Sequence, residues 1–273
     1  MKINTSGFRN PSQSLNKFSP EEKGIFILGT DTGVGKTVIS GAIARLLLSQ
    51  KVDVGVMKPI ETGCRRQGGK LIPADGTYLK AAARSSDPIE SITPCAYKAP
   101  LAPYAASFLE NKKIRLETIF RAYDRLRRQH SFLIIEGVGG LMVPLTRNLD
   151  LLDLILHFDL PVLLVARSGL GTLNHTLLTL RYGSEHHLRF IGVVLNQTSP
   201  KKGPADQSNP EILSGRISVP LVGCFPYFKK SGSREKDIER SQAIFTKNIS
   251  MKEMVLGRPR GKIMKEDGSA GLP

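Results

Sequence analysis

Short, almost continuous apolar runs recur along the chain, each separated from the next by a stretch with helical spacing of its apolar positions. The runs at Ile25–Gly29, Val54–Lys58, Phe132–Glu136, Val162–Ala166, Ile191–Asn196 and Val219–Phe225 predict strands. The stretches at Lys36–Gln50, Gly76–Ala83, Leu116–Gln129, Leu149–Phe158 and Thr172–Tyr182 predict helices. Beyond Lys229 a partial stripe of Ile238, Ile244, Phe245 and Ile249 predicts one more helix. Strands apolar on both faces and alternating with helices predict an α/β fold: one mostly parallel sheet with helices on both faces. The segment Gln197–Asn209, rich in Pro, Ser, Asn and Lys, reads as a surface loop. Residues 1–23 read as a disordered polar extension, 24–250 as one domain, and 251–273 as a flexible basic tail.

Composition narrows this reading only a little. No apolar run approaches the ~20 residues of a membrane-spanning helix. The polar N-terminus has no apolar stretch of the kind a secretion signal needs. Cys64, Cys95 and Cys224 lie far apart without a CxxC pair, which suits free thiols in a reducing, cytoplasmic setting rather than a disulfide frame or zinc site. The net charge of +15 raises the question of nucleic acid. Part of that charge lies in the tail and more in Arg121–Arg128, however, with no recognition-helix signature and no basic strand interleaved with aromatics. A solvated basic surface that attracts anionic small molecules is the expectation, with neither nucleic acid nor membrane as partner.

The candidate chemistry sits where the strands end, at Asp31, Lys58, Glu136, Arg167 and Asn196, on the edge where parallel sheets bind ligands. The first strand runs into a glycine-rich turn, GTDTGVGKT at Gly29–Thr37, and then into a helix. This is the layout of a phosphate-binding loop, with one residue more between the first glycine and Gly-Lys-Thr than the usual spacing. Its backbone N–H groups and the helix N-terminus would hold phosphates, Lys36 would reach them, and Thr37 would hold Mg²⁺. The strand FLIIE ends in Glu136, a candidate Mg²⁺ ligand, followed by Gly137, Val138, Gly139 and Gly140. Lys58 ends the second strand, where a second lysine would stabilise charge during phosphoryl transfer. Asp75 is another candidate metal ligand.

Taken together, these segments resemble the dethiobiotin synthetase family. The resemblance rests on GTDTGVGKT, KPIETG at Lys58–Gly63, APLAPYAA at Ala99–Ala106, EGVGGLMVPL at Glu136–Leu145, LPVLLVARSGLGTLNHTLLTL at Leu160–Leu180 and GVVLN at Gly192–Asn196. It covers Gly24 to Phe228, and the GLGTLNHTLLTL run is its most specific part. It implies a single-domain P-loop NTPase fold and an ATP-dependent ligase that makes dethiobiotin from 7,8-diaminononanoate and CO₂. It also implies roles for residues. Thr32, Gly33, Val34, Gly35, Lys36, Thr37 and Val38 wrap the ATP phosphates, with Gly137, Val138 and Gly139 opposite. Thr37, Asp75 and Glu136 bind Mg²⁺, and Lys58 and Lys36 are catalytic. Asn196, with Gln197 beside it, reads the adenine, which Pro226, Tyr227 and Phe228 line. Thr62 touches the diamine, and Gly171, Thr172, Leu173 and Asn174 hold its carboxylate across a homodimer interface.

Glu61 departs from the neutral residue common in relatives and is expected to add a negative charge near the substrate. Partition ATPases of the ParA/MinD kind carry an extra lysine early in the loop, where this chain has Thr30 or Asp31. Cobyrinic-acid-type amidotransferases need a glutaminase domain with a nucleophilic cysteine, for which this chain has no GxC elbow.

Overall fold

The computed structural model describes residues 24–250; the expected N-terminal extension and the basic tail lie outside the described residues. The chain order is β1 (Gly24–Gly29), α1 (Lys36–Ser49), β2 (Val54–Met57), β3 (Ile60–Glu61), β4 (Arg65–Gln67), β5 (Lys70–Ile72), α2 (Ala74–Ala82), α3 (Ile89–Ile92), β6 (Cys95–Ala96) and α4 (Pro103–Leu109). There follow α5 (Leu116–Gln129), β7 (Phe132–Glu136), α6 (Leu151–Phe158), β8 (Val162–Arg167), α7 (Thr172–Glu185), β9 (Phe190–Asn196), α8 (Pro204–Ser214), β10 (Leu221–Phe225) and α9 (Arg234–Asn248). Six strands form one parallel sheet in the order β10-β9-β8-β1-β7-β2. Two small two-stranded ribbons, β3-β6 and β4-β5, flank it.

The apolar runs become strands because both of their faces are covered. In β1, Ile25 and Ile27 point into one core with Ile39, Ile43 and Leu47 of α1 and Ile238 and Phe245 of α9. Phe26 and Leu28 point the other way, against Ile119 and Leu126 of α5 and Leu152, Ile155 and Phe158 of α6. Successive strand residues face opposite sides, so one unbroken apolar run fills two cores at once. The inserted β7 lies between β1 and β2, so the carboxyl ends of all three strands open on the same edge.

One expectation is overturned. Gln197–Asn209 is not a loop throughout, because α8 begins at Pro204. Proline suits the first helical turn, and the Asp206 carboxylate accepts the Gly203 N–H at 2.7 Å and so caps that end. Leu213 in its last turn is buried with Ala166 and Leu195 and anchors the helix, which carries Pro210 despite its missing donor. The helix expected at Leu149–Phe158 starts two residues later, since Asp150 is its N-cap and accepts from Leu152 N at 2.9 Å.

Candidate active site

The loop between β1 and α1 is shaped by two glycines with left-handed backbone, Gly33 (φ 75°) and Gly35 (φ 96°). A Cβ on Gly35 would lie 2.0 Å from Asn196 Nδ2, so no larger residue fits there. Gly35 is also the N-cap of α1, whose first turn has neither a side-chain cap nor an acidic residue. The first N–H groups of that helix therefore retain their capacity to bind an anion. Lys36 is buried and donates to Asp31 O at 2.9 Å and to Gly139 O at 2.8 Å. Burial, and after it the nearby positive charge of Lys58, pulls its pKa down to about 8.

Three carboxyl-edge elements meet around Lys58. Its ammonium donates to Glu136 Oε1 at 2.7 Å and to Gly137 O at 3.0 Å, and lies 3.1 Å from Asp75 Oδ2. The Thr37 hydroxyl donates to the same Glu136 Oε1 at 2.8 Å. Burial works against the charged form of Lys58, yet the Glu136 and Asp75 carboxylates outweigh it and hold the ammonium protonated. Burial likewise works against ionised Asp75, and the adjacent Lys58 charge outweighs it, leaving the carboxyl below its usual range. Glu136 Oε2 is buried and has no hydrogen-bond partner. An orphaned carboxylate oxygen beside a hydroxyl and a second carboxylate is a set of hard oxygen donors that suits a divalent cation.

These groups line a cavity of about 820 Å³. Of the expected residues, Thr32, Gly33, Gly35, Lys36, Thr37, Val38, Lys58, Thr62, Asp75, Glu136, Val138 and Gly139 are on its wall. Val34 is not, since its side chain is buried in the core. Asn196 stands behind the loop and donates through Nδ2 to Val34 O at 2.8 Å. Gln197 is turned to Ser199 O at 2.9 Å. Tyr227 is exposed, and Phe228 packs edge-on to Phe225 under the Arg240 guanidinium. Gly171 caps α7, and Thr172 is buried with its hydroxyl 3.3 Å from that of Thr176. The 171–174 segment and residues 226–228 thus lie off the wall of this cavity.

A family model described as an AAA domain (AAA_26) matches residues 23–235. The ATP-dependent dethiobiotin synthetase BioD of Thermodesulfovibrio yellowstonii is 42% identical over 212 residues, covering 75% of this chain and 88% of that one. Its namesake in Bacillus licheniformis is 41% identical over 204 residues, 75% of this chain and 86% of its own. The chain belongs to the dethiobiotin synthetase family. Among solved structures, a ParA family ATPase from Chlorobium tepidum is 14% identical with a TM-score of 0.49, over 84% of this chain and 92% of that one, too distant to bear on function.

Several walls of the site in this family member escape a reading of its sequence. Tyr78, the Pro100–Pro103 turn, Val143 and Lys230 all face the cavity. APLAPYAA at Ala99–Ala106 carried family resemblance, but nothing in its residue pattern says where in the fold it lies. Glu61 differs most from expectation. It is absent from the cavity wall, and its carboxylate accepts the backbone N–H groups of Asp75 and Gly76 at 2.9 and 3.0 Å. Burial, followed by repulsion from Asp75, pushes its pKa up.

Proposed function

We propose that this chain carboxylates 7,8-diaminononanoate and closes the ureido ring of dethiobiotin, with ATP as the activating co-substrate and CO₂ as the carbon source. The observation that carries this reading is Lys58, held between Glu136 and Asp75 next to a phosphate-binding loop. Family membership supplies the product, and the cavity offers the charges that such a reaction needs.

In this reaction one substrate amine adds to CO₂ and loses a proton, giving a carbamate. A carbamate oxygen attacks the γ-phosphorus and ADP leaves, forming a carbamic–phosphoric mixed anhydride. The second amine attacks the anhydride carbonyl, loses its proton and expels phosphate, which closes the ring. The chain's own part is placement and charge. The loop N–H groups and Lys36 hold the β/γ-phosphates, and Lys58 faces the carbamate and the charge growing on the γ-phosphoryl oxygens. Thr37, Asp75 and Glu136 are the residues that would hold Mg²⁺, which when bound adds positive charge to the phosphates. Asn196 and residues 226–228 are assigned to adenine, and Thr62 to the diamine.

We assign Gly171–Asn174 to the substrate carboxylate of a neighbouring subunit in a homodimer. Two features support this. These residues lie off their own cavity wall. The surface near them also carries large exposed apolar side chains, with Leu170 92% exposed and Leu178 and Met142 more than half exposed. Among the described residues no helix is long and apolar enough to cross a membrane.

The test is to mix protein, MgATP, bicarbonate and the diamine and to look for dethiobiotin by mass spectrometry. Diamine-dependent formation of dethiobiotin with ADP is expected. ATP hydrolysis that ignores the diamine but responds to DNA would move the chain to the partition ATPases.

A further inference from the structure

Glu61 is a charged residue buried to 5% exposure, and the reaction outlined above gives it no task. It sits on β3, whose backbone is held by its pairing with β6, and Glu61 O accepts the Tyr97 N–H at 2.8 Å. Its two carboxylate oxygens divide between two donors, Oε1 taking Asp75 N and Oε2 taking Gly76 N. Both donors lie in the first turn of α2, where N–H groups have no partner within the helix. The N-cap of α2 is Pro73, whose ring cannot accept a hydrogen bond. A carboxylate from a different strand therefore does what a Ser or Asp cap ordinarily does, and its charge faces the positive end of the helix.

Three residues earlier, the same segment carries Lys58, whose ammonium meets the Asp75 side chain at 3.1 Å. Segment 58–61 thus grips Asp75 twice, by its backbone through Glu61 and by its carboxylate through Lys58. We propose that Glu61 is a positioning residue for Asp75: it caps α2 from outside the helix and fixes where the Asp75 carboxylate meets Lys58 and the divalent cation. This role rests on the metal reading of Asp75. It replaces the expectation that Glu61 adds a charge for substrate recognition, since its carboxylate is taken up by the helix and is absent from the cavity wall.

The test compares Glu61→Ala, Glu61→Gln and Asp75→Asn with the wild-type chain. Mn²⁺ binding to protein saturated with ADP is followed by electron paramagnetic resonance, alongside the Mg²⁺ requirement and the diamine KM. Glu61→Ala is expected to weaken Mn²⁺ binding about tenfold, the scale on which outer partners of metal ligands act. Glu61→Gln keeps one acceptor oxygen and should fall between Ala and wild type, with an unchanged diamine KM. Should Glu61→Ala fail to fold, Glu61→Gln alone decides. Weakened Mn²⁺ binding in Asp75→Asn with wild-type binding in the Glu61 variants overturns the positioning role. So does a diamine KM that moves while Mn²⁺ binding does not. Unchanged Mn²⁺ binding in Asp75→Asn overturns the metal reading itself, and this role with it.

Discussion

Lys58 is only 3% exposed, and it is held by two carboxylates and a carbonyl. Burying the Lys58–Glu136 pair costs desolvation that a hydrophobic replacement would avoid, so its presence argues for chemistry over stability. In the proposed reaction Lys58 opposes charge that develops on the transferring phosphoryl group. Lys58→Gln should therefore lower kcat by about 10²–10³, with a much smaller change in the KM for ATP, measured by steady-state production of ADP and dethiobiotin. Near-wild-type turnover would remove Lys58 from the catalytic set. Glu136 poses the complementary question, because its Oε2 is buried without a partner. Glu136→Ala should need a far higher Mg²⁺ concentration for half-maximal rate, and an unchanged Mg²⁺ titration would remove it as a ligand.

At the scale of elements, α8 braces a turn that lies away from the main cavity. The Asn209 side chain is buried and donates to Ser168 O at 2.8 Å and to Gly169 O at 3.0 Å, while Ser168 Oγ donates to Asp206. These bonds hold the turn that leads into Gly171–Asn174, the segment assigned to the diamine carboxylate. Asn209→Ala should raise the diamine KM roughly tenfold through two lost hydrogen bonds, and leave the KM for ATP unmoved. Equal changes in both constants would show that α8 serves stability alone. This element was illegible in the sequence for a physical reason. Its Gly, Pro, Asp, Ser and Asn content favours turns, and what makes it a helix is tertiary: Asp206 capping Gly203, Asn209 tied to another loop, and Leu213 buried. By contrast β1, α1 and β7 could be read directly, because an apolar run leading into Gly33, Gly35 and Lys36 has few other uses. Asp75 lies between these extremes. Nothing local marks it as a ligand, and its place follows from Lys58 and Glu61 on a separate segment.

For the whole molecule, the parallel sheet brings the carboxyl ends of β1, β7 and β2 together, so Lys36, Glu136 and Lys58 converge from distant parts of the chain. A second cavity of about 580 Å³ lies along α7 between His175 and Tyr182, with the exposed Met142 and Leu178 on its wall. If this apolar face joins two copies, Leu178→Asp should give a monomer by sedimentation, with dethiobiotin synthesis lost while ATP still binds. A dimer that persists and stays active would place the interface elsewhere. The net charge of +15 fits encounter with an anionic nucleotide, a reading at the level of encounter rather than fold. The central claim is that ATP activates a carbamate at this site, and oxygen tracing tests it most directly. The chain is given the diamine, MgATP and a pulse of C¹⁸O₂, and the dethiobiotin and phosphate are analysed by mass spectrometry. The account predicts one ¹⁸O in the ureido carbonyl and one in the released phosphate. Dethiobiotin formed with unlabelled phosphate, or no dethiobiotin at all, would contradict it.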